Sequence, residues 1–106
     1  MTLIKLNVQE PYFTHIKNGT KTSEGRLAKD NFIQLIEGDQ VEFNDQLTKT
    51  IISVNKYKTF EQMIIAEGLA NVIPGAKNIE EATAVYYKFY SAADELKYGV
   101  CAIVMK

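Results

Sequence analysis

The chain has 106 residues, 46% of them hydrophobic and 24% charged, with a formal net charge of -1 and a sequence pI near 5.8. That length accommodates one compact domain, residues 1–106, with a single core. The near-neutral charge excludes nonspecific polyanion binding, so any nucleic-acid contact has to come from a local patch. In chain order, Thr2 to Val8 alternates polar and apolar residues apart from Leu3-Ile4 and reads as a first strand. Pro11 suits a first helical turn, Tyr12, Phe13 and Ile16 follow at helical spacing, and Gly19 is a left-handed stop. His15 falls on the outer side of that helix with nothing adjacent to orient it.

Gly19 to Leu27 then concentrates the polar chemistry of the chain: Lys21, Arg26, Glu24 and the hydroxyls of Thr20, Thr22 and Ser23. If Thr20 to Arg26 is extended, Thr22, Glu24 and Arg26 share one face at about 7 Å spacing. Lys21 starts on the other face, and a tight turn at Gly19 can swing it back toward the same cleft. Ala28 to Gln34 reads as a loop, and Phe32, Ile33, Leu35 and Ile36 are expected to fold back on the core. Glu37-Gly38-Asp39 turns into a strand from Gln40 to Asn44, and Asn44-Asp45-Gln46 turns again into a longer β-branched strand from Lys49 to Lys58.

Thr59 with Gln62 makes a capping box, opening a helix that Gly68 stops; Phe60, Met63 and Ile64 form its apolar stripe. Leu69 to Gly75 is a connector containing Pro74. Asn78 with Glu81 opens another helix through about Tyr90, with Ile79, Ala82, Tyr86 and Phe89 as its stripe. Ser91 to Tyr98 reads as a polar turn. Gly99 to Met105 is a strand apolar on both faces and hence internal to a sheet. Strands early and late with helices between them indicate an α+β fold: a mixed or antiparallel, strongly curved sheet or small barrel flanked by helices.

Cys101, the lone cysteine, lies in that last apolar run as a small core residue, and its solitude fits a reducing, cytoplasmic setting. One histidine and one cysteine far apart make no metal pattern, and no cofactor is expected. No basic-then-apolar leader opens the sequence and no apolar run approaches the ~18 residues of a membrane span, so no membrane association is expected.

Gly19-x-Lys21-Thr22-x-Glu24-x-Arg26, followed by Gly38-Asp39-x-Val41-x-Phe43, resembles the signature of the ASCH domain, which has a PUA-like fold. Tyr57-x-x-Phe60-Glu61, Pro74-Gly75, Tyr86-x-x-Phe89-Tyr90-Ser91 and Tyr98-Gly99-Val100 are similar to small stand-alone bacterial and archaeal members, and the likeness spans the chain. The resemblance implies a small curved β-barrel with helices on its flank and a cleft that binds RNA or a nucleoside-like small molecule. It extends more distantly to acetylcytidine amidohydrolases, which use a lysine, a threonine three residues later and a distant glutamate. Lys21 matches the lysine, but Glu24 stands at the threonine position and no downstream glutamate aligns, so the expected nucleophile is missing.

Each candidate has two readings. Lys21 can anchor a phosphate or act as a base if desolvated, or it is a solvated lysine at a strand start. Glu24 can accept from a base edge or serve as general base, or it pairs with Arg26. Arg26 can hold a phosphate in its fork, or it orients Glu24. Thr22 offers a hydroxyl ligand, or it is an ordinary β-former. Tyr86 is a core residue with a wet hydroxyl end, whereas Tyr90 and Ser91, at the helix end, are placed to reach the cleft, where a ring can stack on a base. The expected function is therefore RNA or modified-nucleoside binding through Lys21, Thr22, Glu24, Arg26, Tyr90 and Ser91. One alternative is a metal-independent hydrolase of a nucleoside amide or RNA phosphodiester, with Lys21 and Glu24 as its catalytic pair. Another is a regulatory protein-interaction module using the tyrosine helix.

Overall fold

A computed structural model describes residues 1–106. Five strands, β1 (Leu3–Leu6), β2 (Ser23–Leu27), β3 (Gln40–Phe43), β4 (Leu47–Tyr57) and β5 (Val100–Met105), form one sheet in the order β1-β3-β4-β5-β2. β1 runs parallel to β3, with Ile4 opposite Val41; every other pairing is antiparallel. The sheet curls into a half-barrel, and β4 is the strand that bends it. Its first half pairs with β3 and its second with β5, and the register slips between Ile51 and Ser53 where the two halves meet. An extra residue at such a bulge kinks and twists a strand, which turns a flat sheet toward closure. The β3–β4 hairpin closes through a three-residue loop, Asn44 to Gln46, in which Asn44 and Asp45 both take positive φ, a conformation these residue types tolerate.

The helices are short and locally capped. In α1 (Tyr12–Lys17) Phe13 and Ile16 face inward, and Gly19, at φ +81°, ends the segment. α2 (Phe60–Glu67) starts at Thr59, whose hydroxyl accepts from the Gln62 N–H at 3.0 Å. In return the Gln62 side chain accepts from the N–H of Lys58. Asn78 caps α4 (Ile79–Tyr86) by accepting from Glu81 N–H at 2.8 Å. Each cap satisfies a donor that the first helical turn leaves free.

The expected α+β architecture with a curved mixed sheet is what the structure contains, with four local differences. The connector after Gly68 includes a single helical turn, α3 (Leu69–Val72). α4 stops at Tyr86, and Tyr87–Tyr90 continues as a turn. Ser91 to Tyr98 is a helix and not a polar turn: Ser91 caps α5 (Ala92–Tyr98) by accepting from Asp94 N–H, with Asp94 and Glu95 in the favoured first turn. Finally, Asp30–Gln34 forms a 3₁₀ turn that buries Leu35 and half-buries Phe32, while Ile33 and Ile36 point to solvent. A turn this short can direct only part of its apolar set inward.

Two apolar clusters lie on opposite faces of β5. Val100 and Ala102 pack with Leu27, Phe60, Met63, Ile64, Val72, Ile73, Ala82 and Tyr86 under the helices. Ile103 and Met105 pack with Ile4, Phe13, Ile16, Leu35, Val41, Phe43 and Ile51 on the other side. Strand alternation sends even and odd residues of β5 to different clusters, which is why this internal strand is apolar on both faces. Cys101 is fully buried, and burial raises its thiol to about 11.

Candidate functional site

A cavity of about 390 Å³ opens where the segment after β1 passes the edge strand β2 and the end of α4. β2 supplies its floor through Glu24, Gly25 and Arg26, with Lys21 just before the strand. Asn7, Val8, Gln9 and Tyr12 form one wall; Ile73, Val85, Tyr86, Phe89 and Tyr90 form the other. Arg26 bridges floor and wall by donating from Nη2 to the Asn7 carbonyl at 3.3 Å.

The turn after α1 sets the geometry of the floor. The His15 carbonyl accepts from both Thr20 and Lys21 N–H, at 2.9 and 3.0 Å, folding the chain back before β2 begins. Lys21 is thereby swung inward and is 2% exposed. Its ammonium donates to the Ser23 carbonyl at 2.8 Å and to the Val72 carbonyl, and it faces Glu24 Oε1 at 3.5 Å. Three acceptors for three N–H groups leave no donor over. Burial lowers the Lys21 pKa, and the neighbouring Glu24 charge resists that fall.

Glu24, also buried, is held at both oxygens. Oε1 additionally accepts from the Gly25 N–H at 3.1 Å, and Oε2 accepts from Arg26 Nη2 at 3.3 Å. Burial opposes the Arg26 charge, but Glu24 and then the Tyr90 hydroxyl outweigh it, and the guanidinium is held above its ordinary value. Burial also raises Tyr90, against the opposing influence of Arg26.

The aromatic wall is rigid. The Phe60 ring stacks on Tyr86 at 4.5 Å between centroids and on Tyr90 at 5.4 Å, and Tyr87 meets it edge-on at 6.1 Å. Tyr87 is fixed in turn by donating to Glu95 Oε1 at 2.6 Å, while Glu95 Oε2 accepts from the Phe60 N–H. Tyr86 is 5% exposed, and its hydroxyl is the one buried side-chain polar atom without a hydrogen-bond partner. It lies directly over Gly25, where a Cβ would sit 2.8 Å from the hydroxyl oxygen and 2.8 Å from Met63 Cε.

A family model described as the ASCH domain matches residues 6–106. The chain belongs to the ASCH domain family. Two solved structures agree with this membership. The crystal structure of the hypothetical protein PH0355 superposes with a TM-score of 0.94 at 38% identity, covering 100% of this chain and 98% of that one. The solution NMR structure of protein PF0455 from Pyrococcus furiosus gives a TM-score of 0.83 at 37% identity, covering 99% of this chain and 96% of that one. None of the curated proteins matches the sequence significantly.

Of the candidates expected in this ASCH domain, Lys21, Glu24, Arg26 and Tyr90 converge on the cavity. Thr22 and Ser91 are not among the residues lining it. The Thr22 backbone ties β2 to its surroundings, its N–H donating to the Asn71 carbonyl and its carbonyl accepting from the Met105 N–H, and Ser91 spends its hydroxyl on the α5 cap. His15 stands half-buried outside the cavity, and Phe89, expected in a buried stripe, is 53% exposed on the cavity wall. The early end of α4 accounts for that, because a residue beyond the last helical turn no longer follows the helix's inward face. Sequence reasoning missed the Asn7–Gln9 wall, Tyr12, Ile73 and Val85, which carry no local signal beyond ordinary apolar or polar character. Gly25 had a signal, a glycine inside a strand, which marks close approach of a neighbour. No group of three or more His, Cys, Asp or Glu side chains is placed to hold a metal, and no helix is long and apolar enough to cross a membrane.

Proposed function

We propose that this ASCH domain binds a single base of RNA, or a free nucleoside, in the β2–α4 cavity. The observation that carries the reading is an aromatic and apolar wall facing a polar floor across about 390 Å³. Ligand pockets run from about 300 to 1,000 Å³, so this one suits one base or nucleoside and not a stretch of strand. Tyr90 and Phe89 offer ring faces for stacking, which is worth roughly 1–3 kcal/mol per base. Arg26 and Glu24 offer a donor and an acceptor to the base edge. Lys21 supports Glu24 from below; with its three N–H groups engaged, it positions the carboxylate and does not itself meet the ligand. The formal charge of -1 supports recognition through the base over recognition through a phosphate backbone. Membership of the ASCH family, whose resemblance implies RNA or nucleoside binding, supports the same direction.

Binding is favoured over hydrolysis because no serine, threonine or cysteine lines the cavity, and the Lys21 ammonium has its three N–H groups engaged by the protein. The test is calorimetric titration of mixed-sequence single-stranded RNA and of the four nucleosides against wild type, Arg26→Ala and Tyr90→Ala. Both side chains are partly accessible, so each variant is expected to melt cooperatively while losing at least tenfold in affinity, about 1.4 kcal/mol. Undiminished affinity in both variants would reject the reading.

A further inference from the structure

We infer that the cavity reads the lactam edge of an oxo-base, a ring carbonyl beside a ring N–H, and that the Tyr86 hydroxyl is the group that selects the carbonyl. This rests on the base-binding reading above and narrows it.

Tyr86 presents a contradiction that a ligand resolves. Its ring stacks on Phe60 at an interplanar angle of 8°, a role that phenylalanine would fill equally well. The hydroxyl instead adds a buried polar atom whose O–H finds no acceptor in the protein; the Gly25 N–H beneath it bears on the oxygen and works to lower its pKa, but leaves the donor unpaired, an arrangement that costs stability and is rare in native structures. The residues around it belong to the cavity: Gly25 beneath it, with Glu24, Arg26 and Tyr90 close enough to perturb its ionisation. Burial holds the phenol well above its usual value, with the Glu24 charge adding to the effect, so the hydroxyl stays protonated and can donate. The missing side chain at Gly25 lets the hydroxyl lie directly against β2, since a Cβ there would sit 2.8 Å from the oxygen.

The remaining valences of the floor define what complements it. Arg26 commits Nη2 to the Asn7 carbonyl and to Glu24 Oε2, and the Tyr90 hydroxyl draws on the guanidinium as well; a fork of five N–H groups retains donors beyond these. Glu24 Oε1 is filled by Lys21 and the Gly25 N–H. Oε2 receives only Arg26, at 3.3 Å, and retains a lone pair. The free groups are therefore two neighbouring sources of donors, Tyr86 and Arg26, and one acceptor, Glu24. A ring carbonyl beside a ring N–H answers all three, as in uracil, hypoxanthine or guanine. Adenine carries no ring carbonyl and would leave the Tyr86 hydroxyl unpaired. A site that hydrogen-bonds one substituent rejects analogues lacking it more strongly than an apolar pocket rejects a change of shape.

The experiment titrates the full chain, wild type and Tyr86→Phe, with uridine, inosine, adenosine and inorganic phosphate. Uridine and inosine are expected to bind wild type at least tenfold more tightly than adenosine. Tyr86→Phe is expected to weaken uridine and inosine at least tenfold, to leave adenosine unchanged, and to melt at the same temperature or higher. Arg26→Lys, which keeps the charge but loses the fork, is expected to weaken the same two nucleosides. Adenosine binding as tightly as uridine, or unchanged uridine affinity in Tyr86→Phe, overturns the inference and leaves base binding standing. Phosphate binding that depends on Tyr86 also overturns it, in favour of an anion site. Failure of every nucleoside and of RNA to bind wild type removes both readings.

Discussion

The two faces of the sheet are built to different standards. On the face of Phe43 and Val41, the buried polar groups are locally satisfied. Asp39 accepts from the N–H groups of Thr2 at 2.9 Å and Ile36 at 3.0 Å, and Asn44 exchanges two bonds with the Val8 backbone. On the face of Phe60 and around the β2 edge beside it, where Glu24 pairs opposite Ile103 and Gly25 opposite Ala102, the chain buries Lys21 and Glu24 and strands the Tyr86 hydroxyl. Buried ion pairs contribute little net stability, and an unpaired hydroxyl subtracts from it. The comparison teaches that one face anchors the fold, while the other carries local conflicts of the kind found at functional sites.

The largest test of this division is a pair of truncations. Phe43→Ala and Phe60→Ala each remove a fully buried ring and are expected to lower unfolding free energy by about 3–5 kcal/mol in urea titrations. Only Phe60→Ala should also weaken the binding of uridine or RNA, because its ring supports both Tyr86 and Tyr90. Equal loss of binding in the two folded variants would erase the distinction between the faces.

Gly25→Ala comes next. The added methyl meets Met63 and the rigid Tyr86 ring end, and overpacking of this kind costs about 1–3 kcal/mol. Methionine can yield, but Tyr86 can do so only by moving its ring. Ligand affinity is therefore expected to fall together with melting temperature, and a variant that bound normally would show that the cavity does not depend on this contact.

Asp39 sharpens the comparison through pH. Its two backbone hydrogen bonds, the Thr2 one foremost, hold its folded pKa below the ordinary value. Its stabilising effect is fully present above the unfolded value of about 3.9 and is lost as pH falls through the lowered folded value. Asp39→Asn should flatten the acid limb of a stability-versus-pH curve, leaving ligand binding at neutral pH intact. A steep acid limb in the variant would assign acid sensitivity elsewhere. The smallest expected stability effect belongs to Tyr86→Phe, within about 1 kcal/mol of wild type and toward greater stability, since it removes an unpaired buried group. A clear loss of stability would mean that the hydroxyl is satisfied by the protein after all.

Much of the fold was legible because its signals are local. Thr59, Asn78 and Gly19 mark helix ends through hydrogen bonds or backbone angles confined to a few residues. The alternation around Val41 and Phe43 and the two-sided apolar run of β5 likewise state which faces are buried. Ser91-x-x-Asp94 carried the same kind of cap signal as Asn78-x-x-Glu81, and its polar surroundings hid a helix. For the cavity, the stretch around Lys21, Glu24 and Arg26 was visible as concentrated polar chemistry, and Tyr90 as an aromatic at a helix end.

Sequence by itself determined the five strands, the helices opened by Thr59 and Asn78 with their caps, the polar character of β2 and the family. Tertiary structure alone decided how those groups are used. It buried Lys21 beneath Glu24, left Thr22 outside the cavity, turned Phe89 outward, and set the Tyr86 hydroxyl over Gly25. The reason is the range of the forces involved. Caps, turns and alternation are settled by neighbours along the chain, whereas desolvation and hydrogen-bond satisfaction depend on groups brought together from β2, α2 and α4, which meet only when the sheet has curled.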